Sequence, residues 1–171
     1  MLPTSRRAVR DLLDMAWLEH ATLAVELGAG TGVYTGEILE RLPAESRLLA
    51  FEIDPSLAGS LSTRFADPRL EVVAESAERM AEHLDGARPN VIVSALPFTS
   101  LPSAARQTIL DECRRLLAPD GVMLVLQYSP FVEKDLRRRW PLVRRRISPM
   151  NVPPAVLFAA RAGPEAGGGP A

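Results

Sequence analysis

Three glycines stand in alternate positions where a short hydrophobic segment ends, in the stretch Val25-Glu26-Leu27-Gly28-Ala29-Gly30-Thr31-Gly32. A sharply turning backbone needs glycine to reach positive φ, and it needs the missing Cβ where a ligand comes close. A helix that starts here directs its free N–H groups and the positive end of its dipole at the same point, which favours a carboxylate or a phosphate. The pattern predicts a ligand site at this turn, and a turn without a ligand is the alternative.

Two acidic residues narrow the class of ligand. Glu52 ends the next hydrophobic segment and is placed to accept hydrogen bonds from a ribose diol, which indicates a nucleoside. A dinucleotide turn of the form G-x-G-x-x-G would need its third glycine where Val33 stands. Glu26 suits an ammonium group but would repel a pyrophosphate. These residues favour S-adenosylmethionine, with S-adenosylhomocysteine as the product, over a nicotinamide dinucleotide.

The elements around these motifs alternate between short β-branched or aliphatic segments and longer amphipathic ones, which is typical of βαβ units and a mostly parallel sheet. Expected strands cover 22–27, 47–52, 70–74, 90–95, 121–128, 141–147 and 155–161. Expected helices cover 5–18, 31–42, 55–66, 76–84 and 103–117. Three prolines in 148–154 forbid a helix between the last two strands, so these should pair antiparallel.

Length and composition limit the class of protein. With 171 residues and 47% hydrophobic residues, the chain fits one α/β domain over 1–161, including an N-terminal helical segment at 1–20, and a flexible tail at 162–171. No apolar stretch is long enough to span a membrane or resembles a signal peptide, so a cytoplasmic location is expected. One cysteine and two histidines cannot form the usual zinc sites.

Positive charge is concentrated in 134–147, where seven cations face Asp135 alone. Such a segment could meet phosphates of lipid head groups or of RNA, or it could be a solvated edge strand in which charge prevents aggregation. Trp140 inside it would suit a bilayer interface. The cations expected to contact an anionic membrane on its inner face are Arg137, Arg138, Arg139, Arg144, Arg145 and Arg146.

Together with the glycine turn, several stretches of the chain resemble the class I S-adenosylmethionine-dependent methyltransferases. These are LPTSRR, FEIDP, SALPFTSLP, ILDECRRLLAPDGV, QYSP and NVPPAVLFAAR. More narrowly, they resemble the bacterial phospholipid N-methyltransferases and the related rRNA adenine dimethylases, from Leu2 to about Arg161. The resemblance implies a Rossmann-like methyltransferase fold with seven strands and helices on both faces. It also implies an amphipathic helix ahead of LPTS, the segment with which this chain begins.

The resemblance assigns cofactor contacts by position. The turn and Glu26 would hold the methionine end, Glu52 the ribose, and Ile53 the face of the adenine. The adenine-contacting Asp-Ala of the family falls on Ser76-Ala77, where serine is a weaker acceptor than a carboxylate, and the preceding Glu75 is a candidate to compensate. The remaining expected cofactor contacts are Gly28, Ala29, Gly30, Thr31, Gly32, Tyr34 and Ser94.

The acceptor turn of the family corresponds to Ser94-Ala95-Leu96-Pro97-Phe98. Methyl transfer to an amine needs a neutral nitrogen held in line with the methyl group, and the carbonyls of Ser94 and Ala95 could orient it. Phe98 would stack on the head group or enclose it, unless Leu96 and Phe98 simply fill the core. The rRNA enzymes begin this motif with Asn or Asp, so Ala95 counts against a nucleobase.

Four aromatic residues, Tyr34, Phe98, Tyr128 and Phe131, follow the ends of predicted strands, where open α/β sheets bind ligands. Aromatic faces bind methylated ammonium groups by cation–π attraction, although each ring could equally fill the core. Tyr128 is also the candidate to accept the substrate proton. The expected function is N-methylation of phosphatidylethanolamine-type lipids. The alternatives are a soluble amine, rRNA adenine, and a cofactor-binding module without catalysis.

Overall fold

The computed structural model describes residues 4–163, which build a seven-stranded sheet in the order β3-β2-β1-β4-β5-β7-β6. The strands are β1 (Leu23–Leu27), β2 (Arg47–Phe51), β3 (Leu70–Val73), β4 (Val91–Ser94), β5 (Val122–Gln127), β6 (Leu142–Ser148) and β7 (Ala155–Arg161). Every residue of β1, β4 and β5 is buried, because the central strands of a parallel sheet are covered on both faces.

Five α-helices surround the sheet: α1 (Arg6–Leu13), α2 (Val33–Arg41), α3 (Pro55–Arg64), α4 (Ser103–Leu116) and α5 (Glu133–Arg139). Local capping explains where two of them begin. The Ser5 hydroxyl accepts from the amide of Ala8, and the Asp54 carboxylate accepts from the amides of Ser56 and Leu57. No helix among the described residues is long and apolar enough to cross a membrane.

The strands β1 to β5 are parallel, whereas β7 is antiparallel to both β5 and β6. The strand β6 therefore runs in the direction of β5, and β1 to β6 all end at one edge of the sheet, called here the carboxyl edge. In register, Gln127 of β5 and Ile147 of β6 both lie opposite Val156 of β7. The loop from β6 to β7 thus stands beyond the same edge as the glycine turn.

Helices pack on both faces of the sheet, as the family resemblance implies. On one face, α4 and α5 pack through Leu110 and Leu136 in a cluster that also contains Phe98. On the other face, α1 and α2 pack through Leu12 and Ile38. The predicted α/β architecture with an antiparallel C-terminal strand pair is confirmed.

Three local expectations differ from the structure. The segment expected as a helix at 76–84 is a 3-10 helix over Ala77–His83. Arg137, Arg138 and Arg139 lie on α5 rather than on an edge strand. Trp140 is 1% exposed within the core, so it cannot lie at a bilayer interface, because the side chain that ends a short helix faces inward here. Of the tail predicted at 162–171, residues 164–171 lie outside the described residues.

Candidate functional site

The glycine turn at the end of β1 has positive φ at all three glycines, with values of 78° at Gly28, 54° at Gly30 and 90° at Gly32. The amides of Gly28 and Ala29 donate to the carbonyl of Phe51 at 2.9 and 3.0 Å, which fixes the turn against β2. A Cβ on Gly28 would lie 2.9 Å from Leu96 Cδ2. A Cβ on Gly30 would come no closer than 4.0 Å to another atom, so this side of the turn is open to a ligand.

The last glycine of the turn is required by packing as well as by φ. A Cβ on Gly32 would lie 2.7 Å from Cε2 of Phe65, the C-cap of α3, and 2.8 Å from Cδ2 of Leu61 within α3. Next to it, Thr31 is exposed, and its carbonyl accepts from the Arg64 guanidinium at 2.7 Å. The turn therefore packs against α3 on one side, and its other side, with Thr31, is exposed.

We expect Gly32→Ala to lower the free energy of unfolding by about 2 kcal/mol or more, from left-handed strain and overpacking together. Gly59→Ala is the matched control, because Gly59 lies inside α3 with no atom within 4 Å of its added Cβ. That control should stabilise the protein by about 0.5 to 1 kcal/mol. Urea unfolding of both variants measures the difference, and equal midpoints would contradict the packing argument.

Glu26, the last residue but one of β1, is fully buried. One carboxylate oxygen accepts from the Thr35 hydroxyl at 2.7 Å, and the other, Oε1, is buried with no hydrogen-bond partner. Burial raises the pKa of Glu26 to about 7, the Thr35 bond opposes the rise, and the charge of Glu52 adds to it. A buried carboxylate oxygen without a donor favours a cationic ligand group.

Glu52 follows β2 and is 8% exposed. Its carboxylate accepts from the amide of Gly30 at 2.7 Å and from the amide of Asp54 at 3.0 Å. Two backbone donors thus fix the carboxylate beside the glycine turn and leave acceptor capacity for hydroxyl groups. The neighbouring Ile53 is 71% exposed at the same edge, where it can cover a planar ring.

The residues predicted to contact adenine are engaged within the protein. The Ser76 hydroxyl caps the 3-10 helix by accepting from the amide of Glu78 at 3.2 Å, and Ala77 is buried at the start of that helix. The Glu75 carboxylate pairs with Arg79 at 3.3 Å and lies 2.8 Å from His83 Nε2. Two residues of the 3-10 helix thus hold Glu75, which precedes it, and a contact of Glu75 with the cofactor stays a prediction.

The acceptor turn follows β4, and its side chains offer no ionisable group. The Ser94 hydroxyl is fully buried and accepts from the amide of Leu96 at 3.3 Å. The Leu96 carbonyl accepts from the amide of Phe98 at 2.9 Å and from the side chain of Gln127 at 2.8 Å. Among the backbone hydrogen bonds outside helices and strands in 4–163, none ends on the Ala95 carbonyl. Gln127 therefore fixes the turn through the Leu96 carbonyl, and the Ala95 carbonyl oxygen is left able to accept a hydrogen bond.

The Phe98 ring does not line an acceptor site. Its ring is fully buried in the core cluster beneath α4, because the turn after the exposed Pro97 points the chain back inward. The expectation that Phe98 stacks on a head group is therefore wrong. Phe131, in contrast, is 51% exposed, with the Arg106 guanidinium 4.8 Å from its ring centre.

Both tyrosines form hydrogen bonds with Thr4 in the N-terminal segment. The Tyr128 hydroxyl donates to Thr4 Oγ1 at 2.9 Å, and Tyr128 is 36% exposed. Tyr34 is buried under α1, and burial raises the pKa of its phenol above the ordinary range while a hydrogen bond with Thr4 opposes the rise. Thr4 therefore connects the two phenols, and of these only Tyr128 is accessible to a substrate.

The basic residues mostly have partners inside the fold. Arg137 and Arg145 both pair with Glu133, at 2.8 and 3.0 Å. Arg138 pairs with Asp135 and Arg139 with Asp111, while Arg144 also has a partner. Within the described chain, Arg146 makes no ion pair. Contact of these residues with a membrane stays a prediction.

Sequence reasoning missed four polar residues that shape the site. They are Thr4, Thr35, Gln127 and Asn151. The side chain of Thr35 joins α2 to the preceding β1, and those of the other three join elements distant in the sequence. Thr4, Gln127 and Asn151 stand in the LPTSRR, QYSP and NVPPA stretches that carry the family resemblance, which was the one available signal. Nothing in the local pattern distinguishes Thr35.

These residues fit S-adenosylmethionine. The unpartnered oxygen of Glu26 suits the ammonium of its methionine end, and the open side of Gly30 leaves room for the ligand. The fixed carboxylate of Glu52 suits the two hydroxyls of a ribose.

The sequence profile of a family described as methyltransferase domain matches residues 24–121. An ornithine lipid N-methyltransferase of Singulisphaera acidiphila is 32% identical over 162 residues, which cover 92% of this chain and 82% of that protein. The match therefore extends over both the cofactor turn and the C-terminal strand pair.

Two solved structures share the fold. The N-methyltransferase NodS of Bradyrhizobium japonicum has a TM-score of 0.75 and 16% identity, over 91% of this chain and 94% of that chain. A 16S rRNA methyltransferase of T. thermophilus, solved with S-adenosylmethionine and guanosine, has a TM-score of 0.70 and 19% identity. The match covers 94% of this chain and 44% of the rRNA enzyme. At such identities the likeness shows the fold alone.

Proposed function

Because this chain belongs to the methyltransferase domain family and uses S-adenosylmethionine as methyl donor, we propose that its acceptor is the amino group of a membrane lipid. The observation that carries the proposal is the acceptor turn, which presents the Ala95 carbonyl and no ionisable side chain. A carbonyl oxygen accepts from an amine N–H and orients the nitrogen lone pair away from itself. Such a turn can orient an amine although it has no side chain that could act as a base.

When bound, S-adenosylmethionine supplies a methyl group on a positively charged sulfur. The chain's own part is positioning: Glu26 and Glu52 hold the donor, and the Ala95 carbonyl orients the amine. Gln127 keeps the turn in place by donating to the Leu96 carbonyl. The substrate ammonium must lose a proton, and we expect solvent to receive it, directly or by relay through the accessible Tyr128 hydroxyl.

The lipid class is supported by the relative of S. acidiphila, which acts on ornithine lipid. Phosphatidylethanolamine and ornithine lipid both present an amino group on an acyl-chain anchor, so one site chemistry serves both. Ala95 lacks the Asn or Asp side chain with which the rRNA enzymes begin this motif, which disfavours adenine as acceptor.

The test incubates the protein and labelled S-adenosylmethionine with three substrate groups. These are vesicles of phosphatidylethanolamine or ornithine lipid, a panel of water-soluble amines, and ribosomal RNA. We expect label in the lipid fraction, at a rate that rises with pH toward the pKa of the lipid amine. Label only in soluble amines or only in RNA would overturn the lipid acceptor while leaving the methyltransferase assignment intact.

Tyr128→Phe should lower turnover about tenfold to a hundredfold, because the accessible hydroxyl that relays the substrate proton to solvent is lost. Affinity for S-adenosylhomocysteine should stay within about twofold, since Tyr128 is not expected to hold the cofactor. Thr4→Val is the matched control, because it removes the hydrogen-bond partner of Tyr128 and keeps the phenol. Full activity of Tyr128→Phe would remove Tyr128 from the acceptor site.

A further inference from the structure

Large apolar side chains that are exposed within 4–163 concentrate at the carboxyl edge. Trp17 and Leu142 lie at the opposite edge of the sheet, whereas six others lie at or just after the ends of β2, β5 and β6. These six are Ile53, Tyr128, Phe131, Ile147, Met150 and Val152. Ile53 and Tyr128 are already placed at the cofactor and acceptor sites. The other four, Phe131, Ile147, Met150 and Val152, are called here the apolar rim.

The loop from β6 to β7 holds its apolar residues outward. Met150 is 72% exposed and Val152 is 80% exposed, while Asn151 between them is only 7% exposed. The Asn151 side-chain oxygen accepts from the amide of Ser5 at 3.3 Å, and the Ser148 hydroxyl donates to Asp11 at 2.8 Å. A loop with its polar residue fixed inward and its apolar residues in water is the reverse of an ordinary surface loop.

The four rim residues share the carboxyl edge, which also holds the acceptor turn. The loop with Met150 and Val152 is tied to α1 on one face of the sheet, whereas Phe131 directly precedes α5 on the other face. Arg145 and Ile147 share a face of β6, because side chains alternate along a strand. Arg145 pairs with Glu133, which lies two residues beyond Phe131, so Ile147 and Phe131 stand on the same side of the sheet. Ile147 and Gln127 both lie opposite Val156, and Gln127 contacts the acceptor turn.

Two cations flank the rim without an ion pair among the described residues. Arg146 precedes Ile147, and Lys134 is the second residue of α5, three residues after Phe131. Their neighbours Arg137 and Arg145, in contrast, are both paired with Glu133. The rim therefore combines apolar side chains with uncompensated positive charge, which complements a bilayer that carries anionic lipid.

We infer that the apolar rim docks on a lipid bilayer containing anionic lipid, with the carboxyl edge facing the membrane. This inference rests on the proposed lipid acceptor. Insertion of Met150 and Val152 would bring the acceptor turn to the level of the head groups, where a lipid amine reaches it without leaving the bilayer. The basic α5, by contrast, has most of its cations paired within the fold.

The test measures co-sedimentation of the full chain with vesicles of phosphatidylcholine and phosphatidylglycerol. The variant Met150→Ser/Val152→Ser should weaken binding about tenfold or more, since two inserted apolar side chains are lost. The matched control is Trp17→Ser/Leu142→Ser, which removes two exposed apolar side chains from the opposite edge and should leave binding within about twofold. Arg146→Gln should weaken binding at low salt, and this difference should fade at high salt.

Affinity for S-adenosylhomocysteine serves as the folding check and should be equal in all variants. Equal vesicle binding by the rim variant and the wild type, or no binding by the wild type, would overturn the docking surface. Rim-dependent binding without any methylated lipid would support the docking surface and overturn only the proposed acceptor. Methylation of lipid in detergent by a rim variant that no longer binds vesicles would support both.

Discussion

Glu52→Ala should lower the affinity for S-adenosylhomocysteine at least about 100-fold, since two charge-assisted hydrogen bonds of about 1.5 to 3 kcal/mol each are lost. The carboxylate is already fixed by the amides of Gly30 and Asp54, so little ordering is needed when ribose hydroxyls arrive. Loss of the Gly30 contact also frees the glycine turn, which adds to the effect. Titration calorimetry at pH 7.5 measures it.

Two companion variants separate binding from folding. Glu52→Gln keeps an oxygen acceptor but no charge, so its loss of affinity should be smaller than that of Glu52→Ala. Glu71→Ala removes an exposed carboxylate from the adjacent β3 and should leave affinity unchanged. Unchanged affinity in Glu52→Ala, or tighter binding of NAD than of S-adenosylhomocysteine, would contradict the assigned role.

Glu26→Gln should weaken S-adenosylhomocysteine at neutral pH about 10- to 100-fold, because a buried amide cannot pair with an ammonium as a carboxylate does. In the wild type, the ligand ammonium and a proton compete for the same carboxylate, whose pKa is about 7 without ligand. Affinity should therefore fall as pH drops below about 7, approaching tenfold per pH unit. In Glu26→Gln this dependence should disappear.

Deprotonation of Glu26 should favour ligand binding but lower the stability of the ligand-free protein. Since the pKa of Glu26 is raised from 4.5 to about 7, the folded state binds the proton more tightly than the unfolded state. Its contribution to the free energy of unfolding is therefore full below about pH 4.5 and is lost as pH rises to about 7. Urea unfolding of wild type and Glu26→Gln between pH 4.5 and 8 checks the sign. Parallel pH profiles for the two proteins would contradict a titrating Glu26.

The sequence by itself determined the α/β fold and the cofactor turn, because both depend on local rules. Alternation of hydrophobic segments predicted seven strands, and the glycines at 28, 30 and 32 predicted a turn that only positive φ allows. Three prolines between the last two strands predicted their antiparallel pairing. Glu26 and Glu52 were likewise predicted at the edge, since a parallel sheet brings the ends of successive strands together.

Tertiary structure alone decided which side chains face the ligand edge and which fill the core. Phe98 and Trp140 are buried although their positions suited exposed roles, because short turns and helix ends do not encode the direction of the next side chain. The unpartnered oxygen of Glu26 depends on Thr35 of another element. The outward loop at Met150 depends on contacts of Ser148 and Asn151 with residues near the N-terminus, more than a hundred positions away. Such contacts are set by the packing of distant elements, which no local pattern specifies.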